Sequence, residues 1–245
     1  MEKSTPTTLT EVIVLAGGLG TRLRSVVKDI PKPMADISGR PFLEYVFNYL
    51  QPQGIKRIIL AVGYRYELIE EYFGTHYKGM EIVYAIENSP LGTGGAIRLA
   101  LREATTENVG VLNGDTLFTA DLQQLYAFHI NKTANLSLAV CEMHNFDRYG
   151  TIELKEHEIL AFREKKALEK GYINAGVYIM QQTFLEQAHL ADKFSFEKEI
   201  LEKYYQTNPD KMLAYLVSPS PYFIDIGIPT DYEKAQTELP ALNFA

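Results

Sequence analysis

Residues 17–22 read Gly-Gly-Leu-Gly-Thr-Arg, and Lys32 follows between Pro31 and Pro33. Glycines packed this densely let the backbone reach positive φ and approach a ligand closely, with N–H groups turned inward. Such a nest binds anions. Arg22, a planar fork, and Lys32, a point charge, would add positive charge on the same phosphates. The flanking prolines stiffen the backbone and hold the ammonium in place at low entropic cost. The glycines alone also fit a tight strand-to-loop turn. They are not a P-loop, because no Gly-Lys-Ser/Thr follows, and the third glycine of the dinucleotide fingerprint is missing. Two carboxylates stand just past apolar runs, Asp115 in Leu-Asn-Gly-Asp and Asp225 in Phe-Ile-Asp-Ile-Gly. Either one by itself fits an ordinary turn aspartate.

These residues need elements to hold them. The apolar run from Val12 to Ala16 predicts a short buried strand that feeds directly into the glycines. A helix is expected from Phe42, a strand over 57–62, a helix around Leu68 to Phe73, and a strand over 81–86. A further helix ends near Arg102, the strand Val109 to Leu112 follows, and Asp121 N-caps a helix running to His129. This alternation predicts a parallel sheet with helices on both faces. Ligands on such sheets lie at the carboxyl ends of the strands, so the loops at 17–24, 87–95 and 113–116 share one rim. The second half reads as strands over 136–143, 150–154, 158–164, 172–180, 212–217 and 222–226. Ser195 caps a helix there, and Pro229 starts a closing one.

The combination Gly-Gly-x-Gly-Thr-Arg-Leu followed by Pro-Lys-Pro resembles the signature of the sugar-1-phosphate nucleotidyltransferases, which join an NTP to a sugar 1-phosphate and release pyrophosphate. The resemblance spans residues 11 to 235 and implies a Rossmann-like, GT-A-like three-layer α/β/α fold. A mostly parallel central sheet would carry an added sugar-binding β subregion. The expected organisation is a single domain over 1–245, with a nucleotide-binding half over about 11–133 and a sugar-phosphate-binding half over about 134–237.

By the same resemblance, Leu15, Ala16, Gly17, Gly18, Gly20, Thr21, Arg22, Asn113 and Gly114 surround the nucleotide, and Glu87, Gly92, Thr93 and Gly94 belong to the loop against its base. Tyr149, Gly150, Glu164, Lys165, Asn174, Ala175 and Gly176 match the sugar-phosphate pocket. There Glu164 and Asn174 hydrogen-bond hydroxyls and Lys165 holds the phosphate. Arg22, Lys32, Asp115, Lys165 and Asp225 are the catalytic candidates. Asp115 and Asp225 match the two metal-binding aspartates, and Mg²⁺ is the cofactor implied, since it prefers oxygen ligands and takes only one or two carboxylates. No general base is required, because a phosphate monoester is mostly a dianion at neutral pH. Two departures stand out. Lys166 replaces the usual proline after Glu-Lys, and the 87–95 loop lacks the glutamine typical of UTP- and dTTP-using members. The stretch Leu23 to Met34, with Ser-Val-Val after the arginine, narrows the resemblance to the D-glycero-α-D-manno-heptose 1-phosphate guanylyltransferases and hence to GTP. UTP- or dTTP-dependent hexose or N-acetylmuramate 1-phosphate transfer, and a regulatory homologue without turnover, are the alternatives.

Bulk properties exclude other classes. A net charge of −7 gives no general affinity for nucleic acid or anionic membrane. The chain has one cysteine, Cys141, in a strand-like run, which excludes an internal disulfide framework and reads as a buried structural thiol. The polar start of the sequence has no apolar signal core, and no stretch approaches the roughly 20 apolar residues of a membrane span, so a cytoplasmic protein is expected. The five histidines show no metal-ligand spacing. Partners are therefore expected to be small molecules, with a homo-oligomer possible.

Overall fold

The computed structural model describes residues 8–18, 29–208, 212–219 and 221–244. The first half alternates as its apolar spacing requires. It runs through β1 (Glu11–Leu15), a hairpin of β2 (Asp36–Ile37) and β3 (Arg40–Pro41), α1 (Phe42–Leu50), β4 (Arg57–Val62) and α2 (Glu67–Phe73). Then come β5 (His76–Tyr77), β6 (Met80–Ile86), α3 (Gly92–Leu101), β7 (Asn108–Asn113), β8 (Thr116–Phe118) and α4 (Leu122–Asn131). Asp121 caps α4 as expected, its Oδ1 accepting from the Gln123 and Gln124 backbone N–H groups at 3.0 Å.

The second half is strand-rich, with β9 (Leu136–Phe146), β10 (Thr151–Lys155), β11 (Glu158–Arg163) and β12 (Leu168–Gln181). A π-helix (Phe196–Tyr204) continues into α5 (Tyr205–Thr207), and β13 (Met212–Leu216), β14 (Phe223–Asp225) and α6 (Pro229–Glu238) complete the order. The helix expected after Ser195 is thus present and capped, with Ser195 Oγ accepting from Lys198 N–H at 3.3 Å, but it is wound as a π-helix. That rarer winding is not visible in an apolar spacing pattern.

Ten strands form one sheet in the order β10-β11-β13-β9-β12-β7-β1-β4-β6-β5. The run β7-β1-β4-β6 is parallel, as the β-α alternation requires. The second half joins it through β12, which lies antiparallel to both β7 and β9. Side chains alternate across β1. Val12 and Val14 join a core with α1, α4 and α6, whereas Ile13 faces the opposite core built on α3 and the π-helix. Three layers result, with the sheet buried in the middle. Among the described residues no helix is long and apolar enough to cross a membrane. Cys141 is buried, and burial pushes its thiol up to about 12, in keeping with a structural residue.

Candidate active site

The carboxyl ends of β1 and β7 lie side by side, with Leu15 in register with Asn113. The chain leaves β7 through Gly114, whose N–H donates to the Leu15 carbonyl at 2.9 Å, and Asp115 follows at the rim. Asp225 arrives from far along the chain. Its strand β14 pairs antiparallel with β8, placing Asp225 opposite Thr116, and the Ile226 N–H donates to the Asp115 carbonyl at 3.1 Å. A short 3₁₀ turn, Lys32–Met34, presents the third charge. The Pro31 and Lys32 carbonyls accept from Met34 and Ala35 N–H at 2.8 and 3.0 Å, so the lysine backbone is fixed.

The result is a compact charge triad. Lys32 Nζ donates to Asp115 Oδ2 at 2.5 Å and to Asp225 Oδ1 at 3.4 Å. The ammonium side chain is 7% exposed, against 37% for Asp115 and 21% for Asp225. Buried on its own side, the lysine faces carboxylates that open to a cavity of about 1110 Å³. One oxygen from each carboxylate converges on a single positive charge. That hard-oxygen pair is the donor chemistry that suits Mg²⁺, which generally takes only one or two carboxylates from a protein. No cluster of three or more His, Cys, Asp or Glu residues with metal-holding geometry occurs among the described residues.

The cavity gathers much of the candidate set. Leu15, Gly18, Lys32, Thr93, Asn113, Asp115, Tyr149, Gly150, Glu164, Lys165, Asn174, Ala175, Gly176 and Asp225 all line it. Ala16, Gly17, Glu87, Gly92, Gly94 and Gly114 are not on its wall. Gly20, Thr21 and Arg22 lie outside the described residues. Glu87 has a supporting position: its Oε2 accepts from Leu91 N–H at 2.9 Å, and its side chain fills the space that a Cβ on Gly17 or Gly63 would need. Glu164 and Lys165 stand exposed between β11 and β12, where Lys166 continues in place of a proline.

The wall that carries Asn174 and Gly176 depends on a local irregularity. The register of β12 against β9 shifts between Asn174 and Tyr178. Bulges of this kind re-aim side chains, commonly next to active sites. Gly176 sits there at φ +73°, and a Cβ on it would lie 2.4 Å from Asn113 Nδ2. Only glycine satisfies both constraints. Asn174 Oδ1 accepts from Gly176 N–H at 3.0 Å and its Nδ2 donates to the Tyr178 hydroxyl at 2.7 Å. One amide N–H and one carbonyl lone pair of Asn174 remain for a ligand. Tyr149 is braced edge-on by Phe223 at 5.5 Å between ring centroids.

Spacing and motif reasoning missed several wall residues. Arg148 pairs with Asp231 of α6 and lies over the Tyr149 ring at 5.4 Å. Its only signal was its place immediately before Tyr149-Gly150. Glu197, Glu202 and Gln206 also face the cavity, from the π-helix and α5, as does Tyr178 at the end of the Asn174-Ala175-Gly176-Val177-Tyr178 run. The sequence marks the three helical residues with no chemical signature beyond a capped amphipathic helix.

The profile of the nucleotidyl transferase family matches residues 11–241. The chain belongs to that family. Within it, the chain is 51% identical over 229 residues to a D-glycero-alpha-D-manno-heptose 1-phosphate guanylyltransferase of Aneurinibacillus thermoaerophilus, covering 94% of this chain and 98% of the relative. A protein of the same description from Campylobacter jejuni is 47% identical over 223 residues, covering 91% and 96%. The solved structure of HddC from Yersinia pseudotuberculosis complexed with GMP-PN superposes with a TM-score of 0.81 at 38% identity, covering 93% of this chain and 98% of that one.

Proposed function

We propose that the protein transfers GMP from GTP to D-glycero-α-D-manno-heptose 1-phosphate, forming GDP-heptose and pyrophosphate. The observation that carries this reading is the Lys32–Asp115–Asp225 triad on the wall of a cavity of about 1110 Å³ that Glu164, Lys165 and Asn174 also line. The base and the sugar are inferred from the two relatives at 51% and 47% identity. The absence of a glutamine from residues 87–95 counts against a pyrimidine base.

In the proposed reaction an oxygen of the sugar phosphate attacks the α-phosphorus of GTP. The bond from that phosphorus to the β-phosphate bridging oxygen breaks, and pyrophosphate leaves with the electron pair. Charge builds on oxygens that are already anionic, so preplaced positive charge is the main help the protein can give. Lys32 would neutralise the α-phosphate, and its buried stem keeps the ammonium from swinging into solvent. Residues 17–22, with Arg22, would hold the triphosphate. Asp115 and Asp225 would hold Mg²⁺, which when bound supplies charge neutralisation to the phosphate oxygens. Glu164, Asn174 and the Tyr149-Gly150 turn would orient the sugar, while Lys165 would hold its phosphate. No side chain is asked to take a proton, because the nucleophile is already mostly a dianion at neutral pH. The product suits a cytoplasmic step that supplies activated heptose for surface polysaccharide.

Pyrophosphate release with Mg²⁺ tests the proposal, crossing GTP, ATP, UTP, CTP and dTTP against manno-heptose, mannose, glucose and N-acetylmuramate 1-phosphates. Turnover confined to GTP with the heptose is expected. Preference for another pair would replace the substrates while keeping the chemistry. No turnover by folded protein with any pair would overturn the reading.

A further inference from the structure

Residues 91–95, the N-cap and first turn of α3 and part of the stretch expected to face a nucleotide base, are tied to the helix that forms the far wall of the cavity. The Phe194 N–H donates to the Leu91 carbonyl, and the Gly94 N–H donates to the Phe194 carbonyl, both at 3.0 Å. A Cβ on Gly94 would meet the Phe194 ring at 2.1 Å, so the backbone of this first turn of α3 packs directly against that side chain. Thr93 makes the decisive contact. Its Oγ1 accepts from the Phe196 N–H at 2.9 Å and donates to Glu197 Oε2 at 2.8 Å. The Ser195 hydroxyl donates to the same Glu197 oxygen at 2.9 Å. Both Thr93 and Glu197 line the cavity.

The two oxygens of Glu197 are therefore in different situations. Oε2 is held by two hydroxyl donors, whereas Oε1 has no hydrogen-bond partner among the described residues. A carboxylate is acceptor-only when ionised, and sugar hydroxyls are donors. On the same cavity wall Tyr178 packs edge-on against Phe196, the residue before Glu197, at 5.1 Å between ring centroids, and its hydroxyl accepts from Asn174, so the carboxylate stands on the side proposed for the sugar. The Thr93 hydroxyl, with its one proton on Glu197 and one of its lone pairs on Phe196 N–H, is held by the helix.

We propose that Thr93 is a positioning residue for sugar recognition: it fixes the Glu197 carboxylate so that Oε1 accepts a hydroxyl of the sugar 1-phosphate. This rests on the nucleotidyl-transfer reading above and adds a residue from the nucleotide loop to the selection of the sugar. A carboxylate held on one oxygen loses little rotamer freedom on binding, which is the advantage of preorganisation.

The experiment compares Thr93→Val, Thr93→Ser, Glu197→Ala and the Thr93→Val/Glu197→Ala double variant. Steady-state kinetics with both substrates is paired with calorimetric Kd values for heptose 1-phosphate. Thr93→Val is expected to raise the KM and Kd for the sugar phosphate about ten-fold, the low end for a hydrogen bond to a charged group, and to leave the KM for GTP within about two-fold. Thr93→Ser should restore the wild-type value to within about three-fold. The double variant should be no worse than Glu197→Ala, since Thr93 acts through it. Equal rises in both KM values, failure of serine to rescue, or additive losses would overturn the proposal and leave Thr93 as a structural staple. If wild-type protein binds the sugar phosphate without turning over, the transfer reading fails and the Kd comparison still decides the role of Thr93. If it binds no sugar phosphate, both fall.

Discussion

Two charged clusters sit at opposite ends of the same sheet, and they are built differently. At the amino-terminal end of β1, Glu11 is 1% exposed. It accepts from Thr105 and Thr106 backbone N–H at 2.9 and 3.0 Å and from both threonine hydroxyls, and it is paired with Arg57. At the carboxyl-terminal rim, Lys32 is buried while Asp115 and Asp225 open to the cavity. The first cluster is closed: its carboxylate oxygens are taken up by the protein's own donors. The second is open, with carboxylate oxygens facing the cavity. A closed network of buried charge can only hold structure, whereas an open one at a pocket can bind and do chemistry.

The sharpest way to break the comparison is Lys32→Ala. Removing a preplaced charge from the site is expected to lower kcat by about 10³-fold, with little change in the melting temperature. Near-normal turnover would remove Lys32 from the mechanism. Asp225→Asn comes next. It keeps the β8–β14 pairing but weakens the carboxylate pair, and it should cost about 10²-fold in kcat with a raised Mg²⁺ requirement, read from titrations of the metal. The opposite signature belongs to Glu11→Ala. Leaving the Arg57 guanidinium without its buried partner should cost about 3 kcal/mol of stability in denaturant unfolding, with kcat of the folded enzyme unchanged. A loss of kcat without a loss of stability would merge the two clusters into one functional network.

Acid sharpens the same contrast. Burial by itself would raise the Glu11 carboxyl, but hydrogen bonds from Thr106, Arg57 and Thr105 outweigh it and hold it below its ordinary value. Its contribution to stability is therefore complete above that ordinary value and is lost as the pH falls through the lower folded one. His129 adds a second acid-sensitive group. It is buried between Ser137 and Asn108, and burial lowers it to about 4. Protonation is then favoured in the unfolded chain, so stability should decline as the pH falls from about 6.5 towards 4, by up to about 3 kcal/mol. Unfolding free energies measured over that range should be flatter for His129→Gln. An unchanged slope would show that another group carries the acid sensitivity.

The first half of the chain was legible because its signals are local. The apolar run at Val12, the wide apolar face from Phe42 and the cap at Asp121 each act within a few residues, and each element formed where they placed it. Candidate residues at strand ends were found for the same reason, since a strand that ends in Asn113-Gly114-Asp115 must deliver that carboxylate to the rim. The π-helix was different. Its apolar residues Phe196, Ile200 and Leu201 announce a packed helix, but neither its winding nor the side of the cavity reached by Glu197 follows from their spacing. Thr93 shows the same limit, because its motif points to the base while its hydroxyl is committed to a helix 103 residues away in sequence.

By itself, then, the sequence determined the parallel β-α framework, the rim on which the loops fall, and the kinds of chemical group available there. Hydrophobic periodicity and turn chemistry are short-range, and they act on the chain before any long-range contact exists. The tertiary structure alone decided which groups meet. The pairing of β14 with β8 carries Asp225 to Asp115, and the docking of residues 194–197 on the first turn of α3 carries Glu197 to Thr93. Those encounters join residues about a hundred positions apart. They exist because backbone hydrogen bonds and packed apolar faces make one arrangement the lowest in free energy, which no local pattern encodes.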